Sequence, residues 1–283
     1  MIKTINLNTG EGYTKTVFPD SQPHVYVPVA QEEYLARVIC SIDSPAKLLE
    51  LCMIANALDN DKSISKSELH ITYLLGARSD RIYDLPKGNS FDLKVIADII
   101  NSLEFLDVYL YDPHSDVAPA LIKGSMVVDN KELVQLYDKE NAVLIIPDAG
   151  AAKKAHKYTE WNSNIKDSVH CIKHRDLSTG KISLEVLEPE RCAGRHCVII
   201  DDICDGGGTF IAIAKQLRYL AWNPLSMTLI VTHGIFSKGY RDLMEYFDEI
   251  ICSNSLGMRV VPVFPGRLKQ LPYEPDKHGI NLG

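Results

Sequence analysis

Two adjacent carboxylates, Asp201 and Asp202, close the apolar run Val198-Ile199-Ile200 and lead through Ile203 and Cys204 into Asp205-Gly206-Gly207-Gly208-Thr209. Glycines let a backbone turn with its N–H groups converging on one point, and a helix starting there directs its positive end to the same place. Ile211, Ile213, Ala214 and Leu217 have the helical pattern this requires. The chemistry offered by such a loop is anion binding. Carboxylates at its edge are poor partners for a phosphate but good acceptors for a sugar diol, or outer ligands for a divalent cation. The loop therefore suits a ribose phosphate.

A plain strand-to-helix turn with no ligand is the competing reading, because one glycine-rich turn has little specificity. Asp-Asp-x-x-Asp also serves magnesium in isoprenoid synthases, but there it lies within a helix of an all-helical chain. Four further segments carry reactive side chains just after apolar runs. In Arg78-Ser79-Asp80-Arg81 the planar guanidinium groups can hold a nucleotide phosphate or stack on a base; a solvated, salt-bridged loop is the plainer alternative. In Tyr111-Asp112-Pro113-His114-Ser115-Asp116 a histidine near carboxylates can bind a metal or shuttle a proton, or do neither on a loop shaped by Pro113. Asp148-Ala149-Gly150-Ala151-Ala152-Lys153-Lys154 can position magnesium and a pyrophosphate at a helix start, or use Asp148 only as an N-cap. Lys173-His174-Arg175-Asp176 predicts a mobile β-hairpin that brings cations over a reaction when substrate is present; a solvated hairpin fits the same residues.

These segments need a common scaffold. Strand-like runs at 25–29, 69–75, 108–111, 143–147, 169–172, 182–186, 197–202, 227–231 and 250–252 alternate with helical patterns such as 45–58 and 91–103. That alternation predicts an α/β fold on mainly parallel sheet, in which ligands lie beyond the carboxyl ends of the strands. At 283 residues the chain accommodates one large or two moderate domains. A net charge of −7 argues against a broad nucleic-acid or anionic-membrane surface while leaving room for a local basic site. Seven cysteines without a C-x-x-C pair argue against a disulfide framework and a structural zinc site. The N-terminal stretch lacks a signal-peptide core and no run approaches a membrane span. A cytoplasmic protein acting on small molecules, with no nucleic acid and no membrane partner, is expected.

Taken in order, the segments resemble the ribose-phosphate pyrophosphokinase, or PRPP synthetase, family over essentially the whole chain. DDICDGGGT is similar to that family's ribose 5-phosphate loop, and VTHGIFSKG at 231–239 to its VTHGIFS segment. IPDAG resembles its S-P-D-A-G, ARSDR its A-R-Q-D-R, YDPH its D-L-H, and the Lys173 and Arg175 pair its catalytic-loop K-x-R. Phe18-Pro19-Asp20-Ser21-Gln22 is similar to its F-x-D-x-E segment. The resemblance implies two tandem phosphoribosyltransferase-type domains, each a mainly parallel sheet flanked by helices. The expected domains are 1–138, on the ATP side, and 139–283, carrying the ribose phosphate loop, with the last residues packing back on the first domain.

The activity so implied moves the β,γ-diphosphate of ATP onto the anomeric hydroxyl of ribose 5-phosphate. Arg78 and Asp80 would belong to the ATP site, with Phe18, Asp20 and Gln22 reaching the adenine from a neighbouring subunit of a homo-oligomer, a dimer or larger. His114 and Asp148 would hold Mg2+ on the ATP phosphates. Asp201 and Asp202 would take the ribose hydroxyls, and Asp205, Gly206, Gly207, Gly208 and Thr209 the 5-phosphate. Lys173, Arg175 and His114 would serve the transfer itself.

Departures from the family bear on substrate choice. Its D-T-x-G-T loop carries a threonine where Gly206 stands, so a hydroxyl donor is missing and space opens beside the phosphate. An acceptor whose 5-phosphate is esterified then becomes admissible, and ADP-ribose, giving ADP-ribose pyrophosphate for NAD salvage as in a divergent phage-type branch, is the alternative substrate. Ser79 and Gln22 also depart, and the residues after His114 do not follow the family. A non-catalytic regulatory homologue would not need Lys173 and Arg175, and a transferase that consumes PRPP would leave ARSDR and YDPH unexplained.

Overall fold

The computed structural model describes residues 1–30, 34–82, 87–175, 182–219, 222–256 and 268–275. They fall into two compact units. The first comprises Met1–Asp129 and takes in later residues that include Ser255 and Tyr273. It contains strands β1 (Ile2–Asn6), β2 (Thr14–Val17), β3 (Pro23–Tyr26) and β4 (Leu35–Ile42), helix α1 (Pro45–Asp59), β5 (Lys66–Leu74), α2 (Asp92–Asn101), β6 (Asp107–Tyr111), α3 (Val117–Leu121) and β7 (Ser125–Val128). Five of the strands form a sheet in the order β1-β4-β5-β6-β7, and every pairing in it is parallel.

Strand β4, LARVICSI, is buried at every position, as an inner strand covered on both faces must be. Helix α1 starts where Ser44 accepts a hydrogen bond from the Lys47 N–H and Pro45 takes the first helical position. It buries Leu48, Leu51, Ile54 and Leu58. Strands β2 and β3 form a separate antiparallel hairpin. The strand expected at 25–29 is thus part of this hairpin and ends at Tyr26, outside the main sheet.

The second unit comprises Asn130–Asn254 together with a later stretch. It holds α4 (Lys131–Gln135), β8 (Ala142–Ile146), α5 (Ala149–Trp161), β9 (Ile165–Arg175), β10 (Ile182–Val186), β11 (His196–Cys204), α6 (Gly208–Tyr219), β12 (Ser226–Gly234), α7 (Arg241–Met244), β13 (Glu249–Ser253) and β14 (Leu268–Leu271). The sheet order is β10-β9-β8-β11-β12-β13-β14. All its pairings are parallel except β9 with β10. Alternate residues of its inner strands feed two cores: Val143, Ile145, Ile199, Leu229 and Ile250 on one face, Leu144, Ile146, Val198, Ile200 and Ile251 on the other. That period of two is the pleat of a sheet covered on both sides.

The units divide between Asp129 and Asn130, ahead of the break expected at 138. The reason is apolar: Leu133, Val134 and Tyr137 pack with Ala142 and Leu144 in the second unit. The fold is the α/β architecture expected, with mainly parallel sheet and flanking helices. Among the described residues no helix is long and apolar enough to cross a membrane, and all seven cysteines are free thiols.

Candidate active site

Strand β11 runs parallel to β12, with Asp201 in register with Val231 and Cys204 with Gly234. The chain then turns through residues 205–207 into α6 at Gly208, the strand, loop and helix order expected. Gly207 fixes the turn. Its φ is +72°, and a Cβ there would lie 2.9 Å from Leu243 Cδ2, so only glycine is unstrained. Gly208 has nothing within 4 Å of the Cβ direction, whereas Gly206 faces the methylenes of Lys238. The space expected beside Gly206 is therefore lined by a lysine stem.

At the loop's entrance the Asp202 N–H donates to Asp201 Oδ1 at 3.0 Å. Asp202 is buried, and burial, then the Asp202 charge and hydrogen bond, hold the Asp201 carboxyl well above the usual carboxylate range, with Asp148 adding to the effect. A carboxylate so placed gains from any ligand that brings O–H donors or positive charge. Cys204 beside them is buried, and burial with the Asp201 and Asp205 charges pushes its thiol up to about 12. It packs as a small apolar side chain and is no nucleophile at neutral pH.

Asp148 ends the loop after β8 and caps α5, its Oδ1 accepting from the Ala151 N–H at 3.1 Å. The N-cap role is present, and the same charge bears on Asp201. The structure thus groups Asp148, Asp201 and Asp202 at the carboxyl ends of β8 and β11. The hairpin of β9 and β10 is also present, with Lys173 in register with Leu184 and Arg175 with Ile182. The Lys173 and Arg175 side chains and the turn at 176–181 lie outside the described residues.

In the first unit, β5 leads into Gly76, whose φ is +78° and whose Cβ would stand 2.8 Å from Ile96 Cδ1. The following turn is closed by the Ser79 N–H on the Gly76 carbonyl at 2.8 Å. Arg78 is exposed there, and Asp80 lies 3.5 Å from the Arg81 guanidinium, the ion pair of the plainer reading. His114 is exposed beyond β6, after Asp112, which is buried at φ 39° with its N–H donating to the Val128 carbonyl at 2.7 Å. Phe18, Asp20 and Gln22 form the tip of the β2–β3 hairpin. The Phe18 N–H donates to the Gln22 carbonyl at 2.9 Å, and the Gln22 N–H to Asp20 Oδ1 at 3.1 Å. Phe18 is 47% exposed, a large apolar surface for a hairpin tip.

Two features escape a reading from sequence alone. Lys238 sits in a segment notable only for its resemblance, and the signal was a basic residue placed near an acidic loop. The buried set of Arg37, Glu68 and His70, joined by the half-buried Tyr273, links residues far apart in sequence, which no local pattern can announce. Among the described residues no three His, Cys, Asp or Glu side chains converge to hold a metal unaided. A cation here would complete its shell from phosphate oxygens and water, which is magnesium's usual habit.

No protein-family model matches the chain. It is 26% identical over 240 residues to a ribose-phosphate pyrophosphokinase of Saccharolobus solfataricus, covering 81% of this chain and 78% of that one. It is 25% identical over 261 residues to the enzyme of that name from Thermococcus kodakarensis, covering 89% of each. Among solved structures, the phosphoribosylpyrophosphate synthetase of Mycobacterium smegmatis superposes with a TM-score of 0.75 at 20% identity, covering 92% of this chain and 85% of that one. That likeness establishes the fold. The sequence matches run through about four fifths or more of both partners, and over that length the chain is similar to ribose-phosphate pyrophosphokinases.

Proposed function

We propose that the protein transfers the β,γ-diphosphate of ATP to the C1 hydroxyl of a ribose 5-phosphate acceptor, giving PRPP and AMP. The observation that carries this reading is the loop after β11: paired carboxylates, of which Asp202 is buried, followed by a glycine turn at the start of α6. Asp201 and Asp202 accept hydrogen bonds from the ribose hydroxyls. The N–H groups of residues 205–209 and the positive end of α6 hold the 5-phosphate. The C1 oxygen, so oriented, attacks the β-phosphorus, the bond from that phosphorus to the α,β-bridging oxygen breaks, and AMP leaves with the electron pair while the hydroxyl proton passes to solvent. Such a transfer needs positioning and charge neutralisation more than covalent help.

Lys173 and Arg175 supply positive charge over the β-phosphoryl group. Arg78 and Asp80 hold the nucleotide, and Phe18, Asp20 and Gln22 meet the adenine of a neighbouring subunit in a homo-oligomer, for which an exposed aromatic hairpin tip is suited. His114 in the first unit and Asp148 in the second would each offer a donor to Mg2+, which would supply charge neutralisation to the phosphate oxygens of ATP. The Asp148 carboxylate is the oxygen donor such a hard cation takes, with phosphate and water oxygens completing its shell.

ADP-ribose is the second acceptor reading, favoured by Gly206, which lacks a side-chain hydroxyl, and by the open face of Gly208. The test is AMP release from Mg-ATP with each acceptor and identification of each product by mass. Turnover with ribose 5-phosphate supports PRPP synthesis, and turnover with ADP-ribose alone supports the second reading. AMP from neither acceptor would contradict both and point to a regulatory homologue.

A further inference from the structure

The loop at 201–209 contains three carboxylates and no basic residue. The 5-phosphate assigned to it carries between one and two negative charges at neutral pH. The start of α6 contributes the equivalent of roughly half a positive charge. A full cation would add to this, and the chain after β12 brings one. The Ile235 and Phe236 N–H groups donate to the Cys204 carbonyl at 2.9 and 3.1 Å, and the Ser237 N–H donates to the Asp205 carbonyl at 3.2 Å. These bonds fasten segment 235–237 along the loop and fix where the next residue begins. Lys238 is that residue. Its Cδ and Cε both lie 3.4 Å, and its Cγ 3.7 Å, from the point a Cβ on Gly206 would occupy.

The ammonium of Lys238 stands one bond beyond Cε. The residue is exposed, and among the described residues it forms no ion pair or hydrogen bond. Its stem also bears on position 206. A lone Cβ would just reach van der Waals contact with the methylenes, whereas the two further heavy atoms of a threonine would have to share the space that the stem occupies. Glycine at 206 and lysine at 238 are therefore complementary: the absent side chain makes room for the long one.

We propose that Lys238 is the phosphate-binding cation of the acceptor site, pairing with the 5-phosphoryl group in place of the hydroxyl that Gly206 lacks. The proposal rests on the reading of 201–209 as the acceptor's phosphate loop. An ammonium on a flexible stem is a point charge with three rotatable donors and little demand on geometry. It can serve a terminal phosphate or the nearer phosphate of a diphosphate bridge, where a hydroxyl shaped to one phosphate oxygen cannot. Its effect falls on acceptor binding, because it faces the end of the sugar remote from C1.

The experiment is steady-state kinetics of the full chain with Mg-ATP and whichever acceptor turns over, comparing wild type with Lys238→Met, which keeps the stem and deletes the charge. The acceptor KM is expected to rise about ten- to a hundred-fold, the usual effect of losing a hydrogen bond to a charged group, with the KM for ATP little changed. An unchanged acceptor KM in an active enzyme would overturn the role of Lys238 and leave the diphosphotransfer reading standing. Should wild type release no AMP, that reading fails, and calorimetric titration of ribose 5-phosphate into both proteins decides Lys238 by itself. Weaker binding to Lys238→Met supports the assignment; equal binding, or binding to neither, overturns it.

Discussion

Asp201 is a carboxylate placed where folding opposes its charge, with Asp202 beside it, Asp148 near it and burial around it. Groups held that way are common where a ligand supplies the missing donors. Asp201→Asn removes the repulsion while keeping the shape, so the free protein is expected to gain roughly 1–2 kcal/mol in urea unfolding while acceptor-dependent AMP release falls to background; a destabilised Asp201→Asn protein would contradict the strain. Asp148 has two roles that substitution can separate. Asparagine caps a helix about as well as aspartate, whereas alanine costs about 1 kcal/mol. Asp148→Asn should thus unfold like wild type yet need more Mg2+ for half-maximal turnover, and unaltered Mg2+ dependence would reduce Asp148 to a cap. For Lys173→Ala the expected loss is about 10² to 10³ in kcat with ATP affinity retained, and equal losses in both would remove it from the transfer step. The acidic pair and the glycines could be read from type and spacing because strand, turn and helix are local. Lys238 could not, since its meaning depends on two loops lying side by side.

At the scale of elements, the turn between β11 and α6 depends on one glycine more than on its neighbours. Gly207→Ala forces a side chain onto φ +72° and into Leu243, which should cost about 1–3 kcal/mol and weaken acceptor binding. Gly208→Ala enters open space at the start of a helix and should leave thermal unfolding within error; similar losses in both variants would show that loop packing, and not backbone conformation, sets the requirement. The helices at 45–58 and 91–103 and most inner strands were legible to within a few residues, because long apolar periods specify them. Strand β4 went unread: a run buried on both faces does not alternate. The run at 25–29 misled because the same apolar alternation suits a strand of a separate hairpin and a strand of the main sheet. From sequence, α4 joins the preceding domain, but Leu133, Val134 and Tyr137 commit it to the following core.

Over the whole molecule, the first unit is completed by residues from late in the chain, beyond Asn254. The Thr72 hydroxyl donates to the Ser255 carbonyl at 2.7 Å, and the Tyr273 hydroxyl lies 2.8 Å from His70 Nδ1. His70 in turn meets Glu68, which also pairs with Arg37, and all three are buried. Burial alone would raise the Glu68 carboxyl, but hydrogen bonds and charge from His70 and Arg37 outweigh it and hold it below the usual range. The unfolded chain therefore binds this proton more readily than the native protein. Stability from Glu68 is fully present above about pH 4.3 and is lost as pH falls through the lower folded value. Glu68→Gln should cost roughly 3–5 kcal/mol at neutral pH and flatten the acid limb of the stability profile; an unchanged acid limb would remove Glu68 as its source. None of this was visible in composition or motif, since the partners meet only once the chain has returned. The most direct measurement on the protein as a whole is to follow ATP labelled at the β-phosphorus in the presence of Mg2+ and acceptor. Diphosphotransfer predicts that the label appears in the sugar product while the AMP formed is unlabelled. Label retained in ADP, with only the γ-phosphate transferred or released, would contradict it.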